Sequence, residues 1–316
     1  MKHMKFLSFF LGIAFAIIAC SSNNETIPAP EVDPDGDDGT TEVEFAKGAD
    51  IGWVTEYESQ GYNFYNAKGE QRECTALMKE LGLDAIRIRV WVDPSKHGNW
   101  CNTADVVEKA KRAKELGMDV MIDFHYSDWW ADPAQQNKPA SWVGKNLANL
   151  KSAIKDHTVS VLQALKEIGV IPKWVQVGNE IRPGMLWDED VALSGASYNV
   201  TEKDLKDAPA SATDKVVYPM NWANLGAFVT TGYDAVKSVF PDAIVIVHLD
   251  NGWDSGLFTW FFDELKKNGG KWDMIGMSLY PYWSRDAKEG YSSADAVITD
   301  CISNIKALST KYNCDV

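Results

Sequence analysis

Lys79-Glu80-Leu81-Gly82-Leu83-Asp84, Lys114-Glu115-Leu116-Gly117-Met118-Asp119 and Lys166-Glu167-Ile168-Gly169-Val170 are three copies of one motif, and each precedes or opens an apolar run. Lys266-Lys267-Asn268-Gly269, before Trp272, is a looser fourth copy. The cations suit the negative end of a helix, and the glycine can adopt the left-handed conformation that ends it. Because each helix end leads into a strand, the motif predicts alternating helices and strands in a parallel sheet.

Apolar segments predict six strands, with helical patterns between them. They span residues 47–53, 84–91, 118–125, 173–180, 243–250 and 273–280. A doubly wound sheet also alternates, but it usually carries a phosphate-binding glycine cluster after its first strand, and no such cluster follows Trp53. The sequence therefore predicts an α/β fold of the (β/α)₈ TIM barrel type.

Polar residues concentrate on one side of the predicted strands, toward their carboxyl ends. The inward-facing sets are Arg87, Arg89 and Trp91; Asp123 and His125; Gln176, Gly178 and Glu180; His248 and Asp250; and Ser278 and Tyr280. Each residue alone has an ordinary structural explanation, such as a core ion pair or a satisfied interior histidine. Five strands that become polar together are harder to explain by stability, since buried charges are costly unless paired. The pattern predicts an active site at this end of the barrel.

Composition restricts the partner. The chain has 316 residues and a formal net charge of -14, which argues against binding nucleic acid or anionic lipid headgroups. A neutral substrate fits better. The chain also holds 13 tryptophans, whose rings fill cores and stack on sugar rings; Trp129 and Trp130, just beyond the third strand, add aromatic surface at the predicted mouth.

The N-terminus reads as a targeting segment. Lys2 and Lys5 precede an apolar run that is too short to span a bilayer, and Cys20 ends that run in a sequence that resembles a bacterial lipobox. We expect residues 1–20 to be a lipoprotein signal peptide with Cys20 as the lipidated residue, and the destination to be the outer membrane or cell surface. Residues 21–44 are rich in Pro, Gly, Ser and acids, which predicts a flexible acidic linker.

Several stretches together are distinctive. Val177-Gly178-Asn179-Glu180 ends the fourth strand with an Asn-Glu pair. The others are residues 48–51, 87–91, 123–133, 184–187 and 248–253. From about Gly48 to its end, the chain resembles glycoside hydrolase family 53, the endo-β-1,4-galactanases.

The resemblance implies cleavage of internal β-1,4-galactosidic bonds in type I arabinogalactan, the galactan of pectin, with retention of configuration. Glu180 would be the acid/base and Asn179 would hold the substrate 2-hydroxyl. Arg89 would keep the nucleophilic carboxylate ionised and oriented. The substrate subsites would be lined by Trp91, His125, Asp128, Trp130, His248, Asp250 and Tyr280. No cofactor is expected and no metal-ligating residues are assigned; whether a metal binds does not follow from the sequence.

The chain departs from the family's pattern at its end. Retention needs a second carboxylate about 5–5.5 Å from the first, and the family resemblance puts a glutamate at the end of the seventh strand. Residues 313–316 read as the opening of that strand, so we expect residues 45–316 to be a C-terminally incomplete barrel, truncated at the start of strand seven, with the nucleophile beyond Val316. Asp123 and Asp128 lie on the wrong strand to replace it. Residues 187–218 are expected to form an elaborated loop after strand four, in which the insert at 192–217 looks longer than the family usually has.

Two other functions stay open at this stage. One is a different retaining barrel glycosidase, an endo-mannanase or an endo-glucanase. The other is a non-catalytic surface lipoprotein that binds glycans. Cys74, Cys101, Cys301 and Cys314 have no metal-ligand spacing of the C-x-x-C kind, and their disulfide pairing, if any, does not follow from the sequence.

Overall fold

Six parallel strands pair in the order in which they occur in the chain. The computed structural model describes residues 45–187, 222–282, 284 and 293–316. The sheet contains β1 (Gly48–Asp50), β4 (Ala85–Val90), β5 (Asp119–Phe124), β6 (Trp174–Val177), β7 (Ile244–Leu249) and β8 (Met274–Met277), hydrogen bonded in that order. A doubly wound sheet reverses its order at a switch point, whereas here every strand adds on the same side. This singly wound α/β order is the order of strands in a barrel.

All six predicted strands are confirmed, but several end earlier than expected. The fourth predicted strand, 173–180, is β6 at Trp174–Val177, because Gly178 leaves the extended region with φ 83°. The last predicted strand, 273–280, is likewise shortened to Met274–Met277. The polar residues that the alternation placed at these strand ends therefore lie in the turns just beyond the sheet.

The glycines of the repeated motif end helices, as predicted. Their φ values are 84° at Gly82, 63° at Gly117, 70° at Gly169 and 81° at Gly269, all in the left-handed region. The amide of Gly117 donates to Lys114 O at 2.9 Å and that of Gly169 to Lys166 O at 2.9 Å, which closes the last turn of each helix.

Helices follow the strands along the chain. The described helices are α1 (Val54–Ser59), α2 (Cys74–Glu80), α3 (Thr103–Glu115), α4 (Leu147–Glu167), α5 (Trp222–Val239), α6 (Ser255–Lys267) and α7 (Ala294–Tyr312). Asn102 and Asn146 cap α3 and α4 by accepting the amides of Asp105 and Asn149. A small antiparallel hairpin, β2 (Phe64–Tyr65) with β3 (Gln71–Arg72), precedes α2 and was not predicted.

The outward faces of the strands form the hydrophobic core with the helices. Ile86, Ile88 and Val90 of β4 are fully buried in one cluster with residues of α3 and α4, as the alternation predicted. Removing such side chains from water is the main source of stability in a fold of this kind. Because the outward face is apolar throughout, the opposite face of each strand is left to carry the polar residues.

The outer edge of β8 is paired at one point. Asp315 forms a parallel bridge with Met274, and the amide of Ile275 donates to Asp315 O at 3.0 Å. This agrees with the prediction that residues 313–316 begin a strand next to the sixth one. Cys74, Cys101, Cys301 and Cys314 are all free thiols.

Several predictions concern residues outside the described ranges. They are the signal peptide with Cys20, the linker 21–44 and, apart from Trp187, the elaborated loop 187–218. In the described part of the chain, no helix combines the length and apolarity that a membrane crossing requires.

Candidate active site

Glu180 lies in a tight turn at the carboxyl end of β6. Gly178 has φ 83°, and a Cβ at this position would lie 2.5 Å from Cγ2 of Ile181. Glu180 itself has φ 50°, which is uncommon for a residue with a side chain. Such strained conformations cluster at functional sites, where the surrounding structure holds them in place. The turn leaves Glu180 only partly exposed, at the carboxyl edge of the sheet.

The carboxyl group of Glu180 is poised to hold a proton near neutrality. Burial raises the pKa of Glu180 to about 7, and the negative charges of Asp250 and Asp132 act in the same direction. Arg87 opposes the shift. The hydrogen bond from Ser278, whose Oγ lies 2.6 Å from Glu180 Oε1, also opposes the shift. A carboxyl with such a pKa can donate a proton and later accept one.

Asn179 is held rigidly beside Glu180. Its Oδ1 accepts from Arg87 Nη2 at 3.0 Å and from Gln176 Nε2 at 3.2 Å, and its Nδ2 donates to Ala131 O at 2.7 Å. These contacts fix the orientation of the amide. The second Nδ2 hydrogen has no partner in these three contacts, and the side chain is 8% exposed.

The cation in contact with Asn179 is Arg87, while the role predicted for Arg89, holding the nucleophilic carboxylate, stays a prediction. Arg87 also pairs with Asp50 at 2.6 Å and with Asp123 at 2.8 Å. Arg89 lies 3.7 Å from Asp50 and its guanidinium stacks 4.2 Å from the ring centroid of Trp130. The sequence put both arginines on the inward face, but it did not show which of them reaches the Asn-Glu pair.

Asp123 is fully buried and fully engaged. It accepts from Gln176 Nε2 at 2.6 Å and contacts His125 Nε2 at 2.9 Å, in addition to Arg87. Burial alone would raise the pKa of this carboxyl, but Arg87 and His125 hold it below its ordinary value. A carboxylate that is buried and bonded in this way cannot act as a nucleophile, which supports its exclusion from that role.

The tryptophans form a layered cluster. Trp91, predicted to line a subsite, is only 1% exposed: it lies against Trp129 and Trp130, and its Nε1 donates to His125 Nδ1 at 3.2 Å. This differs from the prediction that Trp91 lines a subsite, because its ring is covered by Trp129 and Trp130 and packs against them. Trp130 is 40% exposed and presents the ring face that a sugar could contact.

His125 is also a supporting residue in this structure. It is 3% exposed, its Nδ1 accepts from Trp91 and from the amide of Ala131 at 3.0 Å, and its Nε2 faces Asp123. Both ring nitrogens are therefore occupied by the protein. The sequence predicted that His125 contacts substrate. In the structure its ring is buried, as that of Trp91 is, and contacts other side chains instead.

The remaining predicted subsite residues are dispersed around the site. Asp128 accepts the amides of Asp93 at 3.0 Å and Ala140 at 2.9 Å, so that it ties two loops together. Asp250 forms a two-pronged ion pair with Arg182, at 2.9 and 3.1 Å. Tyr280 is 61% exposed. Asp128 therefore links two loops, and the predicted contacts of Asp250 and Tyr280 with substrate stay predictions.

His248 and Ser278 complete the surroundings of Glu180. Nε2 of His248 lies 2.9 Å from Ser278 Oγ, and its Nδ1 lies 3.0 Å from Asn179 Oδ1. Burial and the charge of Arg87 lower the pKa of His248 to about 3, so the ring is neutral. Arg87, Gln176 and Ser278 are the contact residues that sequence reasoning put on the inward face without assigning them to the site.

The described residues contain no group of three or more His, Cys, Asp or Glu side chains arranged to hold a metal ion. The polar atoms around Glu180 are engaged with one another: Ser278 joins Glu180 to His248, and Asn179 is held by Arg87 and Gln176. This arrangement can transfer a proton to and from a bound substrate.

A partly buried carboxyl beside an Asn, at the carboxyl edge of a singly wound parallel sheet and near an exposed tryptophan, defines the class of barrel glycoside hydrolases. The model of glycosyl hydrolase family 53 matches residues 46–316, and the chain belongs to this family.

Known proteins with similar sequences align with most of the chain. It is 38% identical over 242 residues to an uncharacterized protein of Niallia circulans, covering 77% of this chain and 60% of the relative. It is 34% identical over 247 residues to an arabinogalactan endo-β-1,4-galactanase of Thermothelomyces thermophilus, covering 76% and 65%. A solved structure of a fungal β-1,4-galactanase superposes with a TM-score of 0.68 at 30% identity, covering 85% of this chain and 71% of that chain. The chain thus spans under two thirds of the length of these two curated relatives.

Proposed function

We propose that the protein containing this chain is a retaining endo-β-1,4-galactanase in which Glu180 is the acid/base. The observation that carries the proposal is the placement of Glu180: a carboxyl with a pKa near 7, in a strained turn at the carboxyl edge of the sheet, next to Asn179. Kinship with galactanases supports the substrate class.

In the proposed mechanism, the protonated Glu180 donates to the glycosidic oxygen as the bond to the anomeric carbon breaks. The resulting carboxylate then removes a proton from the water that releases the sugar from the enzyme. Asn179 would offer its second Nδ2 hydrogen to the 2-hydroxyl, a contact that strengthens as the ring flattens toward the transition state. Trp130 would hold a neighbouring galactose by stacking.

The second carboxylate is proposed to belong to the strand that begins near Asp315. That strand pairs in parallel with β8 through the bridge to Met274, so a residue further along it would come to the same edge of the sheet as Glu180. Retention requires it to lie about 5–5.5 Å from the Glu180 carboxyl. We therefore expect the nucleophile to be a glutamate beyond Val316.

The test is product release by the complete protein from β-1,4-galactan, β-1,4-mannan and β-1,4-glucan. We expect galacto-oligosaccharides from galactan alone, with the β-anomer released first, as followed by proton NMR. Glu180→Gln should lower kcat by about 10²–10⁴-fold, the usual contribution of a general acid. Glu115→Gln, at an exposed position on α3, is the control and should not change kcat.

Two results would contradict the proposal. Cleavage of mannan or glucan in place of galactan would identify a different barrel glycosidase. Full activity of Glu180→Gln would exclude Glu180 as the acid/base. Initial release of the α-anomer would exclude the retaining mechanism.

We also propose that the protein is anchored to the outer membrane through a lipid on Cys20, an inference that depends on the sequence of residues 1–20 alone. Cys20→Ala should move the protein from the membrane fraction to the soluble fraction of cells. Mass spectrometry of the mature N-terminus should find a diacylglyceryl group on Cys20, and an unmodified N-terminus would contradict the anchor.

A further inference from the structure

Nδ1 of His248 faces both a hydrogen-bond acceptor and a hydrogen-bond donor. The acceptor is Asn179 Oδ1 at 3.0 Å, and it is an oxygen because Arg87 donates to it while the amide nitrogen donates to Ala131 O. The donor is the backbone amide of Glu180, 3.3 Å from the same nitrogen. Gln176 Nε2 also lies 3.3 Å from Nδ1, but its shorter hydrogen bonds go to Asp123 Oδ1 at 2.6 Å and to Gly178 O at 2.9 Å. Nδ1 can therefore be satisfied with a hydrogen or without one.

Nε2 of His248 faces a group that can also act in both senses. The hydroxyl of Ser278 lies 2.9 Å from Nε2 and 2.6 Å from Glu180 Oε1. A serine hydroxyl has one hydrogen to donate and lone pairs to accept. Its hydrogen can point to Glu180 or to His248, but not to both at once.

These two properties allow two hydrogen-bond arrangements in which each bond from Glu180 through Ser278 to His248 has one donor and one acceptor. With Glu180 ionised, Ser278 donates to the carboxylate, His248 donates from Nε2 to Ser278, and Nδ1 accepts the Glu180 amide. With Glu180 protonated, the carboxyl donates to Ser278, Ser278 donates to Nε2, and Nδ1–H donates to Asn179. Each protonation state of Glu180 has one matching form of the ring.

We propose that Ser278 links His248 to Glu180 so that the tautomer of the imidazole follows the protonation state of the acid/base. Ser278 is thus a positioning residue that offers a hydrogen bond of the correct sense to both forms of Glu180. Its use in catalysis rests on the proposed function, in which Glu180 is first an acid and then a base.

The exchange of tautomers conserves charge and atoms. One proton leaves Nδ1 for water as another arrives at Nε2 from water, and the ring is neutral before and after. Its burial supports this, since the lowered pKa of His248 keeps a charged imidazolium out of the neutral pH range.

Other charged groups face the pair and set the pH at which the change occurs. Asp250 and Asp132 raise the pKa of Glu180 and Arg87 lowers it, while Arg87 and Asp123 act with opposite signs on His248. None of these groups supplies the link between the two residues, because the hydroxyl of Ser278 is the atom within hydrogen-bond distance of both Oε1 and Nε2.

His125 provides an internal contrast. Its Nδ1 is faced by two donors, Trp91 Nε1 at 3.2 Å and the Ala131 amide at 3.0 Å, and its Nε2 is faced by the carboxylate of Asp123. The arrangement fixes the hydrogen on Nε2. His125 should therefore not change tautomer when Glu180 titrates.

The experiment is ¹⁵N NMR of the complete protein labelled at its histidines, of which the chain has five, from pH 5 to 9. The ring nitrogen shifts of His248 should change from the Nδ1–H to the Nε2–H pattern as pH rises. The midpoint should coincide with the titration of the Glu180 carboxyl, followed by ¹³C NMR. Glu180→Gln should abolish the change, and the His125 signals should keep the Nε2–H pattern.

Variants at Ser278 test the link itself. In Ser278→Ala, Glu180 should still titrate but the His248 step should be lost, whereas Ser278→Thr should keep it. Ser284→Ala, which removes a buried hydroxyl bonded to Tyr280 O from the same segment, should leave the step intact. A His248 tautomer that is independent of pH in the wild-type protein, or a step that persists at the same midpoint in Ser278→Ala, would overturn the proposal.

Activity separates this inference from the proposed function. Ser278→Ala should lower kcat on galactan by about tenfold with little change in KM, and Ser278→Thr should restore most of it. If the wild-type protein shows the His248 step but cleaves no galactan, the proposed function is contradicted and the link through Ser278 is not. If it cleaves galactan without the step, the link is contradicted and the proposed function is not.

Discussion

Arg87 donates from Nη2 to Oδ1 of Asn179 at 3.0 Å, and so joins β4 to the turn that contains Glu180. The same guanidinium contacts Asp50 of β1 and Asp123 of β5. Four strands are therefore tied together through one side chain, because Asn179 follows β6. The planar fork of an arginine suits several acceptors at fixed angles, which a lysine cannot match.

Arg87→Ala should destabilise the protein strongly, because it leaves Asp123 buried without its cation. Removing one partner of a buried ion pair costs about 3–5 kcal/mol. The free energy of unfolding, measured with urea, should fall by that amount. Arg72→Ala, at an exposed pair with Glu70, should cost no more than about 1 kcal/mol. Equal losses in the two variants would show that the Arg87 network does not stabilise the fold.

Trp130→Ala should weaken substrate binding. The ring is 40% exposed and is held in place by Arg89 beneath it. Loss of one sugar-stacking face should raise KM for galactan by about tenfold, since aromatic contacts contribute about 0.5–1.5 kcal/mol beyond their buried area. Tyr65→Ala, at an exposed ring on the hairpin β2–β3, is the control. An unchanged KM in Trp130→Ala would exclude this ring from the substrate groove.

The fold was predictable because its signals are local. A glycine that ends a helix and an alternation of apolar residues are both read within a few positions, and the strands and the ends of α3 and α4 follow from them. The carboxyl-edge site was predictable for the same reason, since Glu180 and His248 lie at or near strand ends. Those signals specify which face and which edge a residue occupies, and no more.

The contacts within the site were not predictable from one sequence. The pairing of His248 with Gly276 brings Ser278 next to Glu180, but a serine near a strand end carries no mark of this. Trp91 alternates correctly with its neighbours, yet Trp129 and Trp130 cover it from the following loop. Both outcomes depend on register and loop path, which are set by the tertiary structure.

The pH profile of the complete protein should report Glu180. In the proposed mechanism its proton is needed for the first step, so kcat/KM on galactan should fall as pH rises above about 7. Asp250→Asn should move this alkaline limb to lower pH by about half a unit, because the negative charge that raises the pKa is removed while Arg182 stays. Asp242→Asn, at an exposed site, should not move it. An alkaline limb that stays in place in Asp250→Asn would mean that another group titrates there.

The raised pKa of Glu180 should also cost stability, and this can be measured without substrate. The folded carboxyl has a pKa of about 7 against 4.5 for the ordinary group. Below the ordinary value both states hold the proton, so the residue costs nothing. As pH rises from there to the folded value, the unfolded chain gains by ionising and the folded protein loses stability relative to acid conditions.

Glu180→Gln removes this penalty, because the amide stays neutral at every pH. The variant should therefore be more stable than the wild-type protein at pH 8, by about 1–3 kcal/mol, and the difference should vanish near pH 4. Urea unfolding of both proteins at the two pH values measures it. Glu115→Gln, at an exposed position on α3, should show no pH-dependent difference. Glu180→Gln could instead be less stable than the wild-type protein by the same amount at pH 8 and at pH 4. Its effect would then come from lost hydrogen bonds, and the ionisation of Glu180 would not cost stability.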